Sequence, residues 1–139
     1  MVATQGPLQC VMVTPERAVL DEPVDFVALP MSDGELGVLP GRAPLIGRLG
    51  YGELRIRHGA TTRRFFVDGG FAQVRSNVVT VLTPRAVRGE DIDVQAARHV
   101  LETPVTGTPP ADGQETQRKN RERARAQLRV AERTRGRAS

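Results

Sequence analysis

The 139-residue chain reads as an α+β protein: a sandwich or barrel of short strands, then two helices separated by a linker. Three observations predict this. Short runs rich in Val, Ile and Phe recur between residues 8 and 82, punctuated by Gly, Pro and Asp. An apolar helical periodicity begins near Ile92. From about Glu115 the chain is built mainly of Glu, Arg, Gln and Ala, all good helix formers.

The expected strands are 8–13, 24–29, 54–58, 64–67, 71–75 and 77–82. Leu54 and Ile56 alternate with Arg55 and Arg57, the period-two signature of a half-buried strand. Asp68-Gly69-Gly70 lies between two apolar runs and predicts a hairpin, because glycine tolerates the positive φ of tight turns. Residues 84–90 are expected to form a polar connector. Asp91 is the expected cap of the first helix, with Asp93 in its first turn. Ile92, Ala96, His99 and Val100 then share one helical face. Pro104 ends that helix near residue 103, and 103–113, with its prolines and glycines, is the expected linker. The second helix, 115–135, carries a thin apolar stripe: Ala124, Leu128 and Ala131, with Val130 to one side. One buried Leu contributes roughly 1.5–3 kcal/mol, while ordering each backbone residue costs about 1–2 kcal/mol. Such a helix is marginal alone and docks conditionally.

Composition excludes several classes. Cys10 is the sole cysteine, so no internal disulfide forms. No apolar run approaches a membrane span, and residues 1–13 lack the pattern of a signal peptide. Aromatic residues are 4% of the chain, too few for a base-stacking platform. The net charge of +4 is unevenly placed: residues 1–113 carry −2 and residues 114–139 carry +6. A basic tail on a mildly acidic body points to an acidic partner surface.

No catalytic constellation is visible. His58 and His99 lie on separate elements, without partners at zinc-ligand spacing. Glu90, Asp91 and Asp93 are explained by helix-terminus acidity better than by a cation. The glycine-rich segment 47–52 precedes a strand, so it reads as turn geometry and not as a phosphate cradle.

The segment 34–45, GELGVLPGRAPL, resembles the signature GE[LM]G[IV]xPGHAPL of the epsilon subunit of rotary ATP synthases. The resemblance continues in order: VDGGFAQV at 67–74, NVVTVL at 77–82, RGEDID at 88–93 and AQLRV at 126–130. It implies an α+β fold: an N-terminal antiparallel β-sandwich over 1–86 and a two-helix domain over 87–139, with helices near 91–103 and 115–135. It implies a non-catalytic rotor-stalk subunit without a cofactor, whose partners are the gamma subunit, the c-ring and the alpha/beta catalytic head. Membrane association then arises only through the complex, at the cytoplasmic face of the bacterial inner membrane. Glu35 matches a family position for contact with the c-ring loops. The resemblance further implies an extended form in which the basic C-terminal helix inserts into the head and restrains ATP hydrolysis. Arg121, Arg123, Arg125 and Arg129 are the candidates for meeting an acidic beta-subunit segment.

Two departures from the family pattern matter. Arg42 stands where the family commonly has His, so a titrating group is lost. The ATP-sensing motif [IL]DxxRA is degenerate: Ile92 and Asp93 are present, but Ala96 occupies the Arg position. Weak or absent ATP sensing is therefore expected. A competing reading, a nucleic-acid-binding β module with an arginine-rich tail, explains the tail but not the 34–45 signature.

Overall fold

The structure, a computed structural model, describes residues 8–103 and 111–138. Eight strands come first: β1 (Leu8–Val13), β2 (Ala18–Val24), β3 (Phe26–Met31), β4 (Gly34–Val38), β5 (Leu45–His58), β6 (Thr61–Arg75), β7 (Val78–Leu82) and β8 (Ala86–Arg88). A 3-10 turn (Gly89–Asp91) leads to α1 (Val94–Glu102) and then α2 (Ala111–Ala138).

The strands form one hydrogen-bonded ladder, β2-β1-β7-β6-β5-β3-β4, with β8 pairing the free flank of β6. All pairings are antiparallel except β1–β7. The ladder folds over on itself, so that every strand from β1 to β7 sends side chains into one core. Alternation decides which ones. Leu8, Cys10 and Met12 of β1 are fully buried, and Gln9, Val11 and Val13, which alternate with them, are not. An ion pair between Glu22 of β2 and Arg63 of β6 joins strands that are not neighbours in the ladder. Burial pushes the Cys10 thiol up to about 12, leaving it a neutral apolar filler.

The expected hairpin at Asp68-Gly69-Gly70 is not a turn. These residues lie inside β6, which runs unbroken opposite β5. On its other flank β6 changes partner here, from β8 at 65–67 to β7 at 71–75. Gly69 and Gly70 adopt φ of +78° and +107°, which bends the strand at that handover. The true reversals are two-residue loops. Gly59-Ala60 joins β5 to β6, and Ser76-Asn77 joins β6 to β7 with both residues at positive φ, as a type I′ turn requires.

The 47–52 segment is likewise not a turn but the first half of β5. Its glycines permit close approach: a Cβ at Gly47 would lie 2.5 Å from Met31 Cε. The expected strand 24–29 is split at Asp25, where the chain leaves β1 and turns to pair with β5. There the Asp25 carboxylate accepts the Gly59 N–H at 2.7 Å. The expected connector 84–90 holds β8 and the 3-10 turn.

The first helix starts later than expected. Asp93, not Asp91, is its cap, accepting the Ala96 N–H at 3.0 Å. Ile92 therefore precedes the helix in extended geometry, and the buried helical residues are Val94 and Ala97. Ala96, His99 and Val100 of the expected face are exposed. The second helix is longer than expected and begins at Ala111; residues 104–110 of the expected linker lie outside the described residues. Its buried positions are Ala124, Ala126, Val130 and Ala131, with Leu128 half-buried.

The bend in β6 generates a prediction. A Cβ at Gly70 would sit 2.0 Å from the Leu82 carbonyl oxygen, on a backbone L-residues avoid. Gly70→Ala is expected to lower unfolding stability by about 3 kcal/mol, from strain and overpacking together. Denaturant titration should show a lower midpoint at unchanged m. A loss below about 0.5 kcal/mol would contradict the bend.

Candidate functional site

Strands β5 and β6 have two working faces. Leu54, Phe65 and Val67 point into the sandwich core. Phe66, between the last two, points the other way into a second cluster with Ile92, Val94, Ala126, Val130 and Ala131. Cross-strand pairing fixes its neighbours. Glu53 lies opposite Phe66, Tyr51 opposite Asp68, and Val87 of β8 flanks Phe66. Together these residues form an outer platform on which α2 lies.

Small side chains let the helix come close. Ala126 and Ala131 are buried against the platform, and at Gly89 an added Cβ would stand 2.0 Å from Thr134 Oγ1. Arginines hold the flanks. Arg123 Nε donates to Asp68 Oδ1 at 2.7 Å, and its guanidinium lies 4.7 Å from the Tyr51 ring centroid. The Asp68 carboxylate holds that guanidinium above its ordinary pKa, because the hydrogen bond favours the charged form. Arg133 reaches Glu53 at 3.2 and 3.3 Å. Glu53 is itself buried and also meets Arg64 at 3.3 Å and Arg55 at 3.5 Å. Three cations thus share one buried carboxylate, a sound arrangement for a charge removed from water.

The arginines singled out from the sequence divide into two pairs. Arg121 and Arg123 are occupied within the chain. Arg121 donates to the carbonyls of Val100 and Leu101 at 3.4 and 3.3 Å, complementing the negative end of α1. Arg125 and Arg129 are exposed and have no ion pair among the described residues. Glu35 stands on edge strand β4, just past the Ser32-Asp33 reversal, with half its side chain exposed. It pairs with Arg55 at 3.4 Å, a surface contact worth about 0–1 kcal/mol. Ile92 and Asp93 already serve structure, as core filler and helix cap. They border a cavity of about 340 Å³ with Arg85, Ala96 and Arg123. Arg42 is exposed. Among the described residues no group of three or more His, Cys, Asp or Glu is placed to hold a metal. No described helix is long and apolar enough to cross a membrane.

Residues 7–89 match the family described as ATP synthase, Delta/Epsilon chain, beta-sandwich domain. An ATP synthase epsilon chain of Rhodopirellula baltica is 51% identical over 126 residues, covering 89% of this chain and 98% of that one. This chain belongs to the ATP synthase epsilon family. An epsilon chain of a Synechococcus strain is 40% identical over 124 residues, covering 87% of this chain and 90% of its own. A chain of the Tetrahymena thermophila mitochondrial ATP synthase central stalk/c-ring structure shares the fold, with a TM-score of 0.69 at 13% identity, covering 91% of this chain and 98% of its own. As an epsilon subunit, the protein is a non-catalytic element of the central stalk, and the nucleic-acid reading falls away.

The sequence reading of this epsilon chain missed Tyr51, Glu53, Phe66, Asp68 and Arg133. One signal was present: the unbroken apolar run Phe65-Phe66-Val67, which marks a strand covered on both faces.

The contact at Gly89 yields a prediction. Gly89→Ala should force Thr134 away and loosen the C-terminal half of α2 while sparing the sandwich. Amide exchange over residues 126–136 should quicken at least tenfold, with β1 and β7 unchanged. Unchanged exchange in α2 would contradict the packing described.

Proposed function

We propose that this epsilon subunit couples the rotor through its sandwich and restrains ATP hydrolysis through α2. The carrying observation is how α2 is held. Its apolar contacts come from alanines, Val130 and part of Leu128, and charged contacts at Arg123 and Arg133 complete the attachment. A docking energy of a few kcal/mol is what a two-state element requires, since a larger gap would lock it. In the extended state Arg121, Arg123, Arg125 and Arg129 meet an acidic segment of the beta subunit. Release from the platform frees Arg123, parting from α1 frees Arg121, and the other two are free already.

On the sandwich, Glu35 is assigned to the polar loops of the c-ring, with Arg55 as its resting partner. Ile46, Phe71 and Leu82 are exposed apolar residues. Phe71 lies directly opposite Leu82 across the ladder, so their side chains share one face. That face is assigned to the gamma subunit. The protein is assigned, through the complex, to the cytoplasmic face of the bacterial inner membrane; no described helix is long and apolar enough to cross a membrane. Ile92 and Asp93 are assigned no ATP-sensing role, because exposed Ala96 replaces the arginine of that motif.

ATP hydrolysis by the matching alpha–beta–gamma head, with full-length variants added, tests the brake. Asp68→Asn weakens docking and should deepen inhibition about threefold or more. Arg125→Ala with Arg129→Ala leaves docking intact and should relieve inhibition, as should 0.5 M salt. Equal hydrolysis with all variants would reduce α2 to a structural appendage.

A further inference from the structure

We propose that the cleft between α2 and the sandwich binds a condensed phosphate: a free diphosphate or longer phosphate chain. The inference rests on the docked geometry of α2 and not on the brake assigned above. A cavity of about 810 Å³ opens there. Gly50, Gly69 and Gly70 are among its lining residues. Arg48 of β5, opposite Phe71 on the face assigned above to the gamma subunit, lines it from the sandwich, and Arg125 and Arg129 line it from α2, so the site proposed is that of the free subunit. These two lie four residues apart, on one face of the helix.

The charge balance sets the ligand. The cavity holds two carboxylates, and both are engaged: Asp68 by Arg123 and Glu122 by Arg118. Arg48, Arg125 and Arg129 have no acidic partner among the described residues. Three uncompensated guanidiniums around one cavity fit an anion of several charges and several acceptor oxygens better than a single sulfate or orthophosphate. Planar guanidinium forks match phosphate oxygens two at a time. The cavity's rings already serve cations, Arg123 on Tyr51 and Arg48 on Phe71 at 5.8 Å, so recognition falls to the phosphate chain and not to an attached base.

The site is shared between two elements. Two of its arginines leave when α2 undocks, so an occupant binds the docked form alone and stabilises it by mass action. The ligand would act as a clamp on α2.

Isothermal titration of the full chain with pyrophosphate, at constant low ionic strength, tests the proposal. The expected result is saturable one-to-one binding, at least tenfold tighter than sulfate or orthophosphate. Arg48→Ala, and Arg125→Ala with Arg129→Ala, should each weaken it at least tenfold. Arg98→Ala removes the same charge from an exposed position on α1 outside the cavity and should change it less than twofold. Pyrophosphate should also slow amide exchange in α2 of the unaltered chain. Binding no tighter than sulfate, or an equal loss in Arg98→Ala, would reduce the cleft to diffuse attraction and overturn the site. ADP binding tenfold tighter than pyrophosphate would overturn its assignment to the phosphate chain.

Discussion

Strand β6 serves two cores at once, and this double duty organises the molecule. Phe65 and Val67 fill the sandwich, whereas Phe66 leaves it on the opposite side and anchors the helices. Period-two alternation makes this unavoidable once the strand is straight between residues 65 and 67. The same alternation on β5 puts Leu54 and Ile56 inside and presents Tyr51 and Glu53 to α2. One hairpin therefore sets both the fold of the sandwich and the seat of the C-terminal helix.

What sits on that platform is mostly small. Alanines bury little area, at about 25 cal/mol per Å², so they bring α2 close without fixing it strongly. Specificity comes from Arg123 on Asp68 and Arg133 on Glu53, which set the helix register along the platform. Removing a partner from a buried charge pair costs more than the pair's net contribution, because it strands the other charge. Leaving the platform therefore requires new acidic partners for these arginines, or water. Under the proposed brake, this ties undocking to the acidity of whatever the helix meets next.

The sandwich and the helices were legible in the sequence because their signals are local. Leu8–Val13 and the alternation at Leu54 and Ile56 are set by the chain's own pattern. The 34–45 signature carried the family. The misreadings came where a long-range partner overrode a local signal. Asp68-Gly69-Gly70 carries turn chemistry, yet the change of partner from β8 to β7 uses that freedom to bend a strand. Asp91 and Asp93 are both credible caps, and the packing of Ile92 into the outer cluster selects the later one. The platform was hidden because Tyr51, Glu53 and Asp68 are ordinary strand residues one at a time. Only the β5–β6 register assembles them beneath α2.

Specific charge pairs seat α2 on this platform. A double-mutant cycle on Arg123→Ala and Asp68→Ala tests it most directly, with the free energy of α2 opening read from amide exchange. A coupling of about 1–3 kcal/mol is expected, as for residues in one charge-paired network. Effects that add within about 0.3–0.5 kcal/mol, the behaviour of independent sites, would contradict it.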